Sequence, residues 1–254
     1  MCKACSKSFS TRTLSPTYGQ KRSDLNWPIY IYQSSGVSIR RIAKNLGCTY
    51  KTAFLKYKWV GKAAKEYCLK QKFSVDTLQF DELLTIEHTK LKPLSVAIAV
   101  SDDYKILGVQ VGTIPASGKL AAISRNKYGP REDESLQKTK ELLTQVSSQL
   151  SSPLKSIKSD AKPGYKSIVK EIYKDTHYEQ FIAEEHKEKK REQKYLKSQK
   201  HIHDPLFAVN HMCARLRDHT KRLARRSWCT TKLKENLELA LYIYIARNNG
   251  YKFL

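Results

Sequence analysis

Apolar residues recur along this chain with two different periods. Between Leu25 and Gly61 the spacing is helical: Ile39, Ile42, Ala43 and Leu46 share one face, Gly47 interrupts, and the pattern restarts behind Thr49, a residue suited to cap a helix N-terminus. The second of these helices buries Ala53 with Phe54 or Tyr57 and leaves Lys51, Thr52, Lys56 and Lys58 facing outward. Such a pattern fits a helix-turn-helix whose basic second helix meets DNA, the alternative being a helical hairpin that only packs. From Phe73 the period changes to two. The runs "TLQFDELLTI", "PLSVAIAVS" and "KILGVQVGTI" predict three strands in an antiparallel meander, with Leu94, Val96, Ile98 and Val100 on one face of the second. "GKLAAISRNKYGPREDES" reads as a polar connection, and "ESLQKTKELLTQVSSQL" as a helix with Leu142, Val146 and Leu150 at four-residue intervals. A strand "LKSIKSD", a helix "GYKSIVKEIY" and a short strand "HYEQFIA" follow. Strands first, then strand alternating with helix, predict an α/β class with a mixed sheet flanked by helices. Near the C-terminus, Val209, Met212 or Cys213, Leu216 and Leu223 form the apolar stripe of a basic amphipathic helix, and a last helix carries Leu233, Leu237, Leu241, Tyr244 and Ile245 into the core.

The 254 residues suffice to bury a core, and the change of period divides them into a short N-terminal piece (1–20), a small helical module (21–70) and one main domain (71–254). No apolar stretch approaches the ~20 residues of a membrane-spanning helix, and the N-terminus has no signal-peptide core, so a soluble cytoplasmic protein is expected. Charge narrows the partner. Lys and Arg outnumber Asp and Glu by 47 to 24, a net +23, which favours a polyanion through phosphate contacts and counterion release. The excess is uneven: 184–200 holds seven basic residues and four glutamates and reads as a solvated helix, a connector or a DNA-tracking arm. By contrast 210–234 holds eight basic residues against Asp218 alone, so it is the better phosphate-binding segment.

Six cysteines are scattered through a chain too long to depend on a disulfide framework. Only Cys2 and Cys5 have metal-ligand spacing, a C-x-x-C that makes half of a zinc knuckle; a closed structural site needs four ligands, so Zn²⁺ is expected only if another half-knuckle lies upstream. The histidines His201, His203, His211 and His219 have no cysteine or acid partner at ligand spacing.

Two acidic positions carry the chemistry. Asp81 in "QFDELLTIEH" and Asp160 in "IKSDAKPGYKSIVKEIY" each sit in or at the end of a β-prone apolar run. They are 79 residues apart, so only neighbouring strands bring them together. Moving a phosphodiester requires a nucleophilic oxygen, a leaving oxygen in line and compensation of the charge on the phosphoryl group; paired divalent ions ~3.5–4 Å apart supply these when carboxylates hold them. Hard oxygen ligands select Mg²⁺ or Mn²⁺. A bland alternative for Asp160 is capping of the helix that follows "AKPGY".

On these residues the chain resembles a bacterial insertion-sequence transposase of the DDE class, closest to the insertion-sequence-one group. "FDE" at Phe80–Glu82 looks like the first catalytic block, "SDAKPGY" at Ser159–Tyr165 like the second, and "LRDHTKRLARRSWCTTK" at Leu216–Lys232 like the C-terminal signature. The resemblance implies a ribonuclease-H-like catalytic domain preceded by a helix-turn-helix module and a partial zinc knuckle. It also implies DNA strand cleavage and strand transfer with Mg²⁺ or Mn²⁺, on double-stranded DNA of element ends and target, by a homo-oligomer associated with the nucleoid. Asp81 and Asp160 take the first two catalytic and metal-binding positions. The third, where such enzymes carry a glutamate, falls on Asn210, giving a D-D-N set in which an amide oxygen coordinates; Asp204 or Asp218 are the other acids nearby. DNA contacts are expected from Lys51, Thr52 and Lys56 in the helical module and from Arg217, Lys221, Arg222, Arg225 and Arg226 near the C-terminus. The alternative is a catalytically inactive, transposase-derived DNA-binding protein.

Overall fold

The computed structural model describes residues 2–8, 10–182, 204–224 and 229–251. Three helices come first: α1 (Asn26–Ser34), α2 (Ile39–Asn45) and α3 (Tyr50–Lys70). The Thr49 hydroxyl caps α3 by accepting the Thr52 backbone N–H at 3.1 Å, as its side-chain chemistry predicts. Three strands follow, β1 (Thr77–Glu87), β2 (Thr89–Ser101) and β3 (Ile106–Thr113), then helices α4 (Leu120–Tyr128) and α5 (Ser135–Gln149). Strand β4 (Ser156–Asp160), helix α6 (Tyr165–Ile172) and strand β5 (His177–Phe181) alternate after them, and α7 (Phe207–His219) and α8 (Lys234–Asn248) close the described chain.

The chain is therefore α/β with one mixed sheet in the order β3-β2-β1-β4-β5. The meander β1–β3 is antiparallel, while β4 lies parallel to β1 and β5 parallel to β4. Alternation along the strands gives the sheet two apolar faces. Leu83, Val96, Ile98 and Val109 face α1–α3, α7 and α8, whereas Leu78, Phe80, Ala97 and Ile157 face α5 and α6. The helical segment shares the first of these cores: Tyr57 of α3 donates its hydroxyl to the Asn236 carbonyl, and α3 crosses α8 at Gly61, where a Cβ would stand 2.7 Å from that of Leu239. Helix α8 lies between α3 and β3, and its apolar stretch from Ala240 to Ala246 is buried on every side.

Three expectations about elements change. Residues 120–128, within the segment taken as a polar connection, form α4. It has no apolar stripe to read because it buries only Ser124, whose hydroxyl donates to the Leu91 carbonyl at 2.6 Å, while Ile123 stays exposed. The basic helix expected to run on from Asn210 ends at His219. Its last carbonyls, from Asp218 and His219, abut Gly36 in the α1–α2 loop, 3.1 and 3.2 Å from where a Cβ would be, and Thr220 turns to an extended conformation. Lys221–Leu223 form a separate 3-10 turn with Leu223 buried. Leu233 precedes α8 and is exposed, whereas Leu237, Leu241, Tyr244 and Ile245 are buried. The segment 184–200 lies outside the described residues.

Gly36 holds φ +74° against those carbonyls, so a side chain there meets both the left-handed penalty and a backbone clash. Gly36→Ala is expected to lower the unfolding free energy by about 1–3 kcal/mol, seen as a lower urea midpoint at unchanged slope. An unaltered midpoint would show that this junction does not hold the end of α7.

Candidate functional site

The pairing of β1 with β4 determines where the two aspartates stand. Phe80 is in register with Ser159, so Asp81 and Asp160 are the next neighbours across the same parallel pair and point to the same face of the sheet. That face is the one covered by α7: Asp81 is opposite Ile98 of β2, a residue of the core beneath α7 and α8. Two residues earlier on this face, the buried Gln79 positions the helix. Its Oε1 accepts the Val209 N–H at 3.2 Å, satisfying a free donor in the first turn of α7, and its Nε2 donates to Asp102 Oδ1 at 3.0 Å.

The electrostatics are those of acids kept from water, where burial outweighs the positive charges nearby. Burial pushes the Asp81 carboxyl up to about 6, and the negative charges of Asp160 and Glu82 add to it; the Glu82 N–H, donating to Asp81 Oδ1 at 2.6 Å, and the Arg217 guanidinium pull the other way. Asp160 is also raised, chiefly by burial and then by Glu82, against the Lys162 backbone N–H and charge. Among the described residues its buried Oδ1 has no hydrogen-bond partner. Among the described residues no third acid, histidine or cysteine joins the pair to make a metal-ligand cluster.

Asn210 is exposed on α7, three residues before Cys213 and seven before Arg217, hence on one side of the helix with them. Both of those residues sense the Asp81 charge, which helps to raise the Cys213 thiol to about 12, after burial. The Asn210 amide donates from Nδ2 to Asp204 Oδ2 at 2.9 Å, and among the described residues no donor reaches its oxygen. Asp204 is occupied in this way and by the Leu206 N–H at 2.9 Å; Asp218 is exposed, 3.8 Å from His219.

Glu82 points to the opposite face from Asp81 and is nearly buried. Its Oε1 accepts from Lys162 Nζ at 2.6 Å and from the Tyr165 hydroxyl at 2.8 Å, and its Oε2 from the Ser95 hydroxyl at 2.6 Å. Lys162 also donates to Ser135 at 2.9 Å. These bonds tie the "FDE" block to the "SDAKPGY" block directly beneath the acid pair. Sequence reasoning passed over Gln79, Lys162 and Tyr165. The signal for Gln79 was a polar side chain on the buried face of a strand, which needs a partner.

The basic residues divide. Lys51 is exposed and Thr52 partly so, its hydroxyl joined to Thr49 at 3.0 Å. Lys56 departs from expectation: it is 8% exposed and donates to Gln20 Oε1 at 2.7 Å, because its stem packs inside the helical segment, and burial lowers its pKa. Arg217 and Lys221 are exposed, while Arg222 lies over the Tyr57 ring, 5.0 Å from its centroid. Arg225 and Arg226 lie outside the described residues. At the N-terminus, Cys2 and Cys5 flank a tight turn closed by Ser6 N–H to the Cys2 carbonyl at 2.9 Å; backbone N–H groups of Cys5 and Ala4 hold the Cys2 thiol below its ordinary value. Both thiols are free. Among the described residues no helix is long and apolar enough to cross a membrane. No protein-family model matches the chain, and no curated protein is significantly similar to it.

Two outcomes follow from the charges. A carboxyl whose folded value exceeds its unfolded one destabilises the fold once ionised, fully so above about pH 6 for Asp81, and the penalty fades as pH falls towards the unfolded value of 3.8. Asp81→Asn is therefore expected to stabilise the metal-free chain by about 1–3 kcal/mol at pH 7, with the gap to wild type closing between pH 6 and 4 in denaturant titrations. A gap independent of pH would refute the assignment. On the other face, Lys162→Met strands a nearly buried carboxylate and is expected to cost about 2–4 kcal/mol, with Glu82→Gln in the same chain restoring part of it. Purely additive losses would mean that the pair is not coupled.

Proposed function

We propose that this chain is a metal-dependent polynucleotidyl transferase with a ribonuclease-H-like domain, working as a transposase of the insertion-sequence DDE class on double-stranded DNA. The single observation that carries this reading is the pair Asp81 and Asp160, adjacent on parallel strands, on one face of the sheet and both raised in pKa. An antiparallel meander followed by parallel strands on the far side of β1 supports the ribonuclease-H-like assignment. The donor set suits a hard divalent cation: two carboxylates, and, among the described residues, a buried Asp160 oxygen with no donor and an Asn210 amide oxygen with none. Asp81 and Asp160 would hold Mg²⁺ or Mn²⁺, with Asn210 as a neutral third ligand; the ion supplies charge compensation at the phosphoryl group and a lowered pKa for the attacking oxygen.

The protein's own side chains do the rest. Arg217, exposed and close enough to Asp81 to lower its pKa, meets the phosphate beside the acids. Lys51 and Thr52, at the start of α3 after a Gly47-containing turn, suit a helix-turn-helix that reads element ends, and Lys221 extends the basic surface. Action as a homo-oligomer on DNA in the nucleoid belongs to the same reading, as does a complete zinc knuckle if an upstream half exists. A second reading, a DNA-binding derivative without catalysis, is favoured by the uncharged Asn210.

Chemistry separates them. With Mg²⁺ or Mn²⁺ the chain is expected to nick or join DNA carrying its element ends. Asp81→Asn and Asp160→Asn should each reduce this to background while leaving DNA affinity within about twofold, since neither side chain offers positive charge to a phosphate. Strand cleavage undiminished in both variants would eliminate the acids as metal ligands, and DNA binding with no metal-dependent chemistry in the wild type would select the second reading.

A further inference from the structure

On the side of α7 turned away from the acids lies an open cavity of ≈420 Å³, lined by the C-terminal ends of α1, α7 and α8. Arg215 and His219 come from α7, Tyr244 and Arg247 from α8, and Ser34 and Ser35 from α1. Both arginines are exposed, and among the described residues neither pairs with a carboxylate. Tyr244 is 3% exposed, and among the described residues its buried hydroxyl has no hydrogen-bond partner of good geometry. Arg215 lies near enough to pull the pKa of that hydroxyl down against the burial that raises it. The His219 ring stacks on Tyr244 at 5.7 Å between centroids, 16° from parallel.

Three helix C-termini meet here, and basic side chains often serve only to offset their partial negative charge. The terminal carbonyls are largely provided for already. Ile31 O accepts both serine hydroxyls, Tyr32 O accepts the N–H groups of Ser35 and Val37, and Ile245, Ala246 and Arg247 accept those of Asn249, Tyr251 and Gly250. One nitrogen of Arg215 reaches Met212 Sδ at 4.0 Å; the rest of that exposed guanidinium and the exposed Arg247 guanidinium keep donors for a ligand, above the buried Tyr244 hydroxyl. Asp218, the carboxylate nearest to this group, is 83% exposed and 3.8 Å from His219.

We propose that this cavity is a phosphate-binding site for the backbone of nucleic acid, separate from the acid pair. Guanidiniums match phosphate oxygens in a fork, a phenol adds one further donor, and the volume is within the ~300–1,000 Å³ range of ligand sites. A net charge of +23 makes a polyanionic strand the fitting source of that phosphate. The site shares with the proposed function only that the chain meets nucleic acid, and it asks nothing of Asp81 or Asp160.

The test measures affinity of the full chain for a DNA duplex across salt concentration, without divalent metal, for wild type, Arg215→Gln, Arg247→Gln, Tyr244→Phe and, as a control on the far face, Lys170→Gln. Each arginine variant is expected to bind about fivefold more weakly at 0.15 M salt and to lower the salt slope by about one. Tyr244→Phe should weaken binding less, and Lys170→Gln should change it least. Inorganic phosphate should shift the His219 imidazole resonances in wild type and not in the double arginine variant. Asp81→Asn should behave as wild type throughout, so that a failed catalytic reading leaves this result standing. Arginine variants that match wild type or the lysine control overturn the proposal. So do phosphate-induced shifts with unchanged duplex affinity, which would make the cavity a site for small phosphates.

Discussion

The parallel register between β1 and β4 is the constraint on which the site depends. It sets two carboxylates beside each other on a face that α7 covers, where burial and mutual repulsion both oppose ionisation. A slip of one residue would turn Asp160 to the α5–α6 side, since strand side chains alternate faces. What resists the slip is on the reverse face: Glu82 takes Lys162 and Tyr165 from the segment after β4 and Ser95 from β2, so the blocks on either side of the acid pair are joined by a nearly buried ion pair. The same sheet therefore carries a pair of like charges above, only partly balanced by Arg217 and Lys162, and a directly bonded ion pair below. The second holds the first in position.

Helix α7 is the other half of the arrangement, and its two sides have separate tasks. Gln79 fixes its first turn on β1, and Gly36 receives the carbonyls at its end. Between these points, Asn210, Cys213 and Arg217 lie towards the acids, while Arg215 and His219 turn to the cavity shared with α1 and α8. A basic sequence segment is thus resolved into an acid-facing side and a cavity-facing side by the ~100° step between successive residues of a helix. Because α8 is buried between α3 and β3, the helical segment at the N-terminus is coupled to the sheet through the core.

Periodicity carried most of the sheet. All five strands and helices α5 and α6 fall where alternation or a four-residue interval points, because each has an apolar face to bury. Helix α4 was illegible for the opposite reason: it buries one serine and rests on local propensity and a Gly129 at φ +77°. The break after His219 was invisible because the Gly36 loop that stops α7 is about 180 residues away in sequence. Of the site, the acids stood out as charges in apolar runs, but their supports did not. Lys162 looks like any surface lysine until the parallel crossover places it over Glu82, and Lys56 looked exposed until Gln20 folded back on it.

Under the proposed function, Asn210 bears on whether the site is built for a cation or is a relic of one. Two ionised carboxylates already raise each other's cost, and a third acid beside them would raise it again in the metal-free fold. An amide in that place adds no repulsion, keeps an oxygen able to coordinate, and gives up one charge of attraction for the ion. Its surroundings favour the ligand role. Asp204 holds the nitrogen end of the amide, which turns the oxygen away from that contact and leaves it without a donor among the described residues. The neighbouring turn of α7 then brings Arg217 within range of Asp81, so positive charge from the protein partly balances the pair until a cation or a phosphate replaces that interaction.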